Sequence, residues 1–230
     1  MQEIINDLEN NDWIALEEKH KNMLSKKSIL VSLQKLIDLD YRPNITQNFN
    51  GINGLWYIEN YLSSNEIEDI KKYIQNDIAM QPITNNSTYS RRVAHFGYYY
   101  SYNRTGLKTA PKIPTILNDL AACNRINKLT NSLILEPFDQ VIINEYKPNQ
   151  QITYHTDDIK LFGPVIACIT IGQAIPIYFK NENKEIKLDI KEGSMYIMTG
   201  DARYSWKHSL KNNKSGIRYS ITYRTIVKKK

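Results

Sequence analysis

From Asp139 onward the chain alternates short apolar and polar stretches. "DQVIINEY", "QITYHTD", "VIACITIG", "AIPIYFK", "EIKLDI", "SMYIMTG", "RYSWKHSL" and "IRYSITYRTI" are rich in β-branched and aromatic residues and are broken by Gly, Pro, Asn or Asp. Period-two alternation places every second side chain on one face, which is the pattern of a half-buried strand. Eight short strands without helices between them predict an antiparallel sandwich or barrel, and a jelly roll is the natural eight-strand solution. The first 138 residues read differently. Leu30, Leu33 and Ile37 recur at helical spacing within residues 1 to about 40, which predicts helix there. "YRPNITQNFNGING" at 41–54 is turn-rich and reads as a linker. "GLWYIENYLSSNEIEDIKKYI" predicts a short strand and then a helix, capped by Ser63 or Ser64 with Glu66 in its first turn. A polar loop, "NNSTYS", leads into the tyrosine-dense "RRVAHFGYYYSY" at 91–102, and Pro111 and Pro114 open a helical segment running to about 130. The expected class is mainly β with flanking helices (α+β). Its parts are a helical extension and linker at 1–50, a segment leading into the core at 51–138, and the jelly-roll core at 139–227.

Composition narrows the setting. The 230 residues carry a formal charge of +6 and 16 tyrosines. A basic chain favours anionic partners, with nucleic acid the usual one, although a lysine-rich coding bias gives the same number. Tyrosine suits base stacking and ordinary sheet faces alike. Cys123 and Cys168 are far apart with no CxxC spacing, so no disulfide framework is expected and a reducing, intracellular setting, cytoplasmic or nuclear, follows. No signal-like start and no run near the ~18 apolar residues of a membrane span is present, so no membrane partner is expected.

The chemistry gathers in the strand-rich half. His155 and Asp157 are two apart on a predicted strand, so both point to one face. His208, in a later strand, can be brought over them by a rolled sheet. Two histidines and one carboxylate on one side of an ion make the facial triad of non-haem Fe(II) oxygenases, though the same donors suit Zn(II) or Mn(II). The pair alone is common on strands, and His208 has a bland reading as a packed histidine beside Trp206. The last strand changes the balance. Arg218 and Arg224 are six apart and share a face, with Cα atoms roughly 20 Å apart at strand rise. Two arginines reaching inward suit a short dicarboxylate, which beside such a metal points to 2-oxoglutarate. Asn144 and Tyr146 share a face of the preceding strand and add an amide and a phenol as donors.

In this order and spacing, N-x-Y, HxD, a later His and R-x(5)-R resemble the AlkB family of Fe(II)/2-oxoglutarate dioxygenases, over about residues 54–226. The resemblance implies a double-stranded β-helix core, Fe(II) held by His155, Asp157 and His208, and 2-oxoglutarate held by Asn144, Tyr146, Arg218 and Arg224. It implies O₂ as oxidant, with succinate and CO₂ as co-products and a substrate C–H bond hydroxylated. An N-methyl group so hydroxylated leaves as formaldehyde. The resemblance also implies a nucleotide-recognition lid in "RRVAHFGYYYSY", with Tyr98 and Tyr100 at the substrate and Arg91 and Arg92 at phosphates. The tyrosines have a bland reading as cross-strand pairs in a hairpin.

The leading expectation is a monomeric enzyme that demethylates N-alkylated bases in DNA or RNA, as in nucleic-acid repair. The alternatives are hydroxylation of a modified tRNA nucleoside or of a protein side chain, and a catalytically silent nucleic-acid-binding relative. Two departures bear on the choice. The bacterial base-repair member carries an acid two positions after the ligand Asp, where this chain has Ile159, with Asp158 one step early. "RRVAHFGYYYSY" and "MTGDARYSWKHS" are closer to the AlkB homologue that hydroxylates a wobble-uridine modification in tRNA. That relative's RNA-binding module and methyltransferase domain are not seen in this chain.

Overall fold

The eight stretches from Asp139 onward form eight strands, and their period-two pattern decides what each face meets. The computed structural model describes residues 43–83, 90–100, 107–131, 133 and 136–227, all within the unit Pro43–Lys230. The helix expected in residues 1–40 lies outside the described residues, as does most of the "NNSTYS" loop. The strands before the core are β1 (Asn44–Gln47), β2 (Leu55–Glu59), β3 (Gln81–Pro82), β4 (Arg92–Phe96), β5 (Tyr98–Tyr100) and β6 (Leu107–Thr109). The core strands are β7 (Gln140–Tyr146), β8 (Gln151–His155), β9 (Phe162–Gly172), β10 (Ile177–Lys180), β11 (Glu185–Leu188), β12 (Met195–Met198), β13 (Lys207–Lys211) and β14 (Arg218–Ile226). The helices are α1 (Ser64–Asn76), α2 (Thr115–Leu120), α3 (Cys123–Thr130) and α4 (Gly200–Tyr204).

The large sheet runs β1-β2-β12-β9-β14-β7-β4-β3 and the small one β11-β10-β13-β8, with every pairing antiparallel. The jelly roll is therefore the fold. β14 lies between β9 and β7, and its odd residues, Tyr219, Ile221 and Tyr223, join Val141, Ile143, Ile169 and Ile197 in a core against Ile70, Ile74, Leu117 and Ile126 of the helices. A second core lies between the sheets, where Tyr57, Ile166, Cys168, Tyr196 and Met198 meet Ile177, Phe179, Leu188 and Leu210. The even residues of β14 alternate with the helix-facing set: Arg218, Ser220, Thr222 and Arg224 are all buried. Four polar side chains on the inner face of a buried strand cost stability unless something satisfies them, which marks this face for a site.

Three expectations about the elements change. The stretch read as a linker contributes β1, which pairs with β2 and belongs to the large sheet. The helical segment to about 130 is two helices, interrupted at Ala121 and Ala122. "RYSWKHSL" is not all strand: its first residues complete α4, whose Arg203 is buried with its guanidinium on main-chain carbonyls, and only Lys207 onward is extended. The α1 start matches the expected cap. Ser63 Oγ accepts from Glu66 N and the Glu66 carboxylate accepts from Ser63 N, a reciprocal capping box. Arg125 then ties Glu66 to the Tyr61 carbonyl.

The tyrosine-dense segment is divided: Arg92–Phe96 joins the large sheet, while Tyr98–Tyr100 pairs with β6 in a separate two-stranded hairpin. β4 pairs with β7 from Arg92↔Glu145 to Phe96↔Val141. Gly97 then turns the chain into β5 with φ +75°, and a Cβ there would fall 2.0 Å from the Asp139 carbonyl oxygen. Only glycine fits that approach. No helix of the described residues is long and apolar enough to cross a membrane.

Candidate metal centre and co-substrate cavity

His155 ends β8, Asp157 follows it, and His208 lies on β13, directly across the ladder from His155. The inward face of both strands is thereby committed to one point. The two imidazole nitrogens and a carboxylate oxygen lie within 4.8 Å of one another, and the two rings are 4.3 Å apart. His155 Nδ1 is 2.8 Å from the Thr153 carbonyl oxygen. A carbonyl only accepts, so Nδ1 carries the proton and Nε2 keeps its lone pair. Burial pushes His208 down to about 3, with His155 adding to the shift and Asp157 opposing it. Burial also lowers His155, against Asp157 and the Thr153 carbonyl. Burial alone would raise the Asp157 carboxyl, but Arg224 first, then His208, His155 and Arg203, hold it at about 2. At neutral pH the set is two neutral imidazoles and one carboxylate, the state a divalent cation needs from its ligands.

A cavity of about 390 Å³ opens from this point between the two sheets; Asn144, Tyr146, Tyr196, Ser220, Thr222 and Arg224 are among the residues that line it. Arg224 Nη2 lies 2.5 Å from Asp157 Oδ1, and its Nη1 donates to Gln140 Oε1 at 3.3 Å. Arg218 is wholly buried; its Nη2 donates to Thr170 Oγ1 at 3.0 Å. Arg218 Nε and Nη1 and Arg224 Nε are buried without an acceptor. Donors left over on buried guanidiniums are expensive unless an anion meets them; Arg224 lines the cavity, whereas Arg218, the other predicted anchor, is buried behind its lining residues. The two arginines do not act alike, as a symmetric bracket would require. Arg224 is engaged with the Asp157 carboxylate, and Arg218 keeps the larger share of open donors.

Arg91 Nε donates to Asn144 Oδ1 at 3.0 Å. Because arginine only donates, the amide is fixed with its oxygen toward Arg91 and its NH₂ on the other side. The guanidiniums of Arg91 and Arg218 lie 5.8 and 5.9 Å from the centre of the Tyr146 ring. Tyr100 lines the cavity and also a second, more open hollow of about 580 Å³ shared with Thr156, Asp157, Asp158, Ile159, Lys160 and Tyr204. Tyr98 lines neither, and its carbonyl accepts from Gln140 Nε2. Arg92 is on the opposite face of the sheet, in a two-bond pair with the buried Glu145 at 2.8 and 2.6 Å. Of the four residues expected at substrate, the structure brings Arg91 and Tyr100 to the cavity and leaves Arg92 and Tyr98 outside it.

Sequence reasoning missed Arg203, Gln140, Thr170 and the hydroxyl pair Ser220 and Thr222. The last two were findable: they fall between Arg218 and Arg224 at even spacing. Gly200 and Asp201 before Arg203 were a helix-start signal obscured by the aromatic residues after them.

The sequence pattern of the 2OG-Fe(II) oxygenase superfamily matches residues 54–224. The chain belongs to that superfamily. This oxygenase is 29% identical over 181 residues to the tRNA (carboxymethyluridine(34)-5-O)-methyltransferase ALKBH8 of Macaca fascicularis, a match covering 71% of this chain and 27% of that protein. It thus spans about a quarter of the length of the curated ALKBH8 relatives it matches. It is 28% identical over 197 residues to the uncharacterized protein L905 of Acanthamoeba polyphaga mimivirus, covering 78% of this chain and 88% of that one. Among solved structures, OsALKBH1 superposes with a TM-score of 0.59 at 15% identity, over 75% of this chain and 96% of the other. Fe(II), 2-oxoglutarate and O₂ are the cofactor and co-substrates of this 2OG-Fe(II) oxygenase.

Proposed function

We propose that this oxygenase hydroxylates a modified nucleoside in tRNA. His155, Asp157 and His208 hold the Fe(II). Arg218, Arg224, Asn144 and Tyr146 hold 2-oxoglutarate. The donor set fits the metal, being two neutral imidazoles and a carboxylate within 4.8 Å on one side. The unmet donors of Arg218 fit a dianion. Fe(II) with 2-oxoglutarate and O₂ supplies the oxidising power that puts one oxygen atom into a substrate C–H bond and the other into succinate, with loss of CO₂.

The protein's own part is orientation and exclusion. The Thr153 carbonyl fixes the His155 tautomer, Arg91 fixes the Asn144 amide, and Arg224 fixes the Asp157 carboxylate. Groups held by such bonds leave little reorganisation for the reaction itself.

The observation that carries the substrate reading is the rim beside Asp157. Asp158 Oδ1 is engaged by the main-chain N–H groups of Lys160 and Leu161, at 2.8 and 3.1 Å, which ties that carboxylate to its own loop. The next residue, Ile159, is 56% exposed and has no acceptor to offer. An apolar side chain at this position does not reward the exocyclic amine of adenine or cytosine, whereas uracil has none. The names of the ALKBH8 relatives point to uridine in tRNA. Demethylation of N-alkylated bases is the second reading, favoured by Tyr100 at the mouth and the basic chain.

The experiment is incubation with Fe(II) and 2-oxoglutarate on total tRNA and on N-methylated DNA and RNA oligonucleotides, with His155→Ala alongside. A tRNA nucleoside one oxygen heavier, without formaldehyde, is the expected result. Formaldehyde from a methylated base, absent in the variant, would replace it with demethylation.

A further inference from the structure

Arg203 is 1% exposed and belongs to neither the expected metal set nor the expected co-substrate set. All of its hydrogen bonds go to main-chain carbonyls. Nη1 donates to Asp157 O at 2.9 Å, Nη2 to Asp158 O at 3.2 Å and Phe162 O at 3.3 Å, and Nε to Gly163 O at 3.3 Å. Those four carbonyls lie at the two ends of the connection between β8 and β9. One planar fork therefore clasps both ends of the loop on which Asp157 is carried. The loop is tightened from within by the Asp158 carboxylate on Lys160 N and Leu161 N.

The other end of the clasp is equally fixed. α4 is anchored to the start of β2, through Ala202 N on Asn53 O and Thr199 N on Gly54 O. Five residues after Arg203 the chain reaches His208. Arg203 thus joins two segments remote in sequence, one bearing Asp157 and one leading to His208. Lysine cannot do this, because its donors radiate from one atom while the guanidinium distributes them over three nitrogens in a plane.

We propose that Arg203 is a positioning residue for the metal centre, holding the Asp157 loop in the ligating arrangement before the metal binds. The proposal rests on Asp157 being a metal ligand. Groups that orient metal ligands without touching the metal are worth roughly 10- to 100-fold in affinity when altered.

The test uses Arg203→Lys and Arg203→Met, with Arg125→Met as a comparison. Arg125 also holds a carbonyl, that of Tyr61, and the Glu66 carboxylate, away from the cavity. Mn(II) affinity is read by the loss of the free-ion electron-paramagnetic-resonance signal, and folding by circular dichroism. The expected result is a folded Arg203→Lys protein that binds Mn(II) roughly 10- to 100-fold more weakly, with Arg125→Met within twofold of the unaltered chain. Binding within twofold in folded Arg203→Lys overturns the proposal. Should neither Arg203 variant fold, hydrogen exchange of the metal-free unaltered chain decides. Amides of residues 158–163 protected without metal support a loop held in advance; amides that become protected only on adding Mn(II) overturn it. An unaltered chain that binds no Mn(II) would overturn the ligand assignment beneath the proposal, an outcome distinct from equal binding by both proteins.

Discussion

Arg224 Nη2 lies 2.5 Å from Asp157 Oδ1, and both side chains are buried. A proposed metal ligand is therefore already half-neutralised by a residue assigned to the co-substrate. Arg224→Met would strand the carboxylate, and breaking a buried pair in this way costs about 3–5 kcal/mol. A divalent cation restores the missing positive charge. Urea unfolding should show a large loss in the metal-free variant, and Mn(II) should stabilise the variant more than it stabilises the parent. Equal gains in both would mean that Arg224 does not compensate Asp157.

Arg218 should behave in the opposite sense. Its Nε and Nη1 have no acceptor, so Arg218→Met removes a buried charge that the protein itself meets through a hydrogen bond only at Thr170 Oγ1. Metal-free stability should change little or rise. Each charge-assisted bond to a co-substrate carboxylate is worth about 1.5–3 kcal/mol, so loss of two should weaken 2-oxoglutarate at least about a hundredfold. Calorimetric titration of 2-oxoglutarate in the presence of Mn(II) measures this directly, and unchanged affinity would remove Arg218 from the co-substrate site.

His95 gives a pH dependence with a definite sign. Burial, with Arg224 and Arg91 adding to it, pushes its pKa down to about 4, and its Nδ1 accepts from Tyr100 N at 3.4 Å. The folded state thus prefers neutral His95. Its contribution is fully present above the unfolded value near 6.5 and is lost as pH falls through about 4. The slope contributed is at most about 1.4 kcal/mol per pH unit. Comparing His95→Gln with the parent from pH 7 to 4 isolates it: the stability difference between them should shrink as pH falls. A constant difference would show that His95 does not titrate in this window.

The neighbours Arg91 and Arg92 should separate cleanly. Arg92→Ala leaves Glu145 buried and unpaired, which destabilises by a few kcal/mol, with KM for 2-oxoglutarate and nucleic acid unchanged in the folded enzyme. Arg91→Ala releases the Asn144 amide, so KM for 2-oxoglutarate should rise severalfold while the melting temperature moves less than for Arg92→Ala. Steady-state kinetics beside thermal melts would reveal the reverse pattern if the assignments were exchanged.

The core strands were legible because both periodicities that matter were local. Alternation in "IRYSITYR" separates Tyr219, Ile221 and Tyr223 from Arg218, Ser220, Thr222 and Arg224 without reference to any other strand. The same parity argument placed Asn144 with Tyr146; His155 and Asp157 do meet, but Asp157 lies in the loop past the end of β8, where parity does not reach. What parity cannot supply is the partner across space. That Arg92 is taken by Glu145, or that Arg224 is drawn to Asp157, depends on the β4–β7 pairing and on the fold of the loop after β8. α4 was hidden for another reason. Its five residues are too few to show a helical period, and Tyr204 at its end and Trp206 just after it carry strand preference. β1 was lost among the turn-forming asparagines around it, since a four-residue edge strand leaves almost no alternation to read.

β8, which carries His155, stands at the rim of the small sheet with only β13 beside it. A rim strand exposes unpaired main-chain groups and is the natural place for a sheet to fray or to recruit a neighbouring chain. A cation shared by His155 and His208 would rivet that rim to its one neighbour, with Asp157 closing the far side. Iron depletion would then do more than silence the enzyme: it would loosen a sheet edge open to proteases and to self-association, tying the lifetime of the protein to the metal supply.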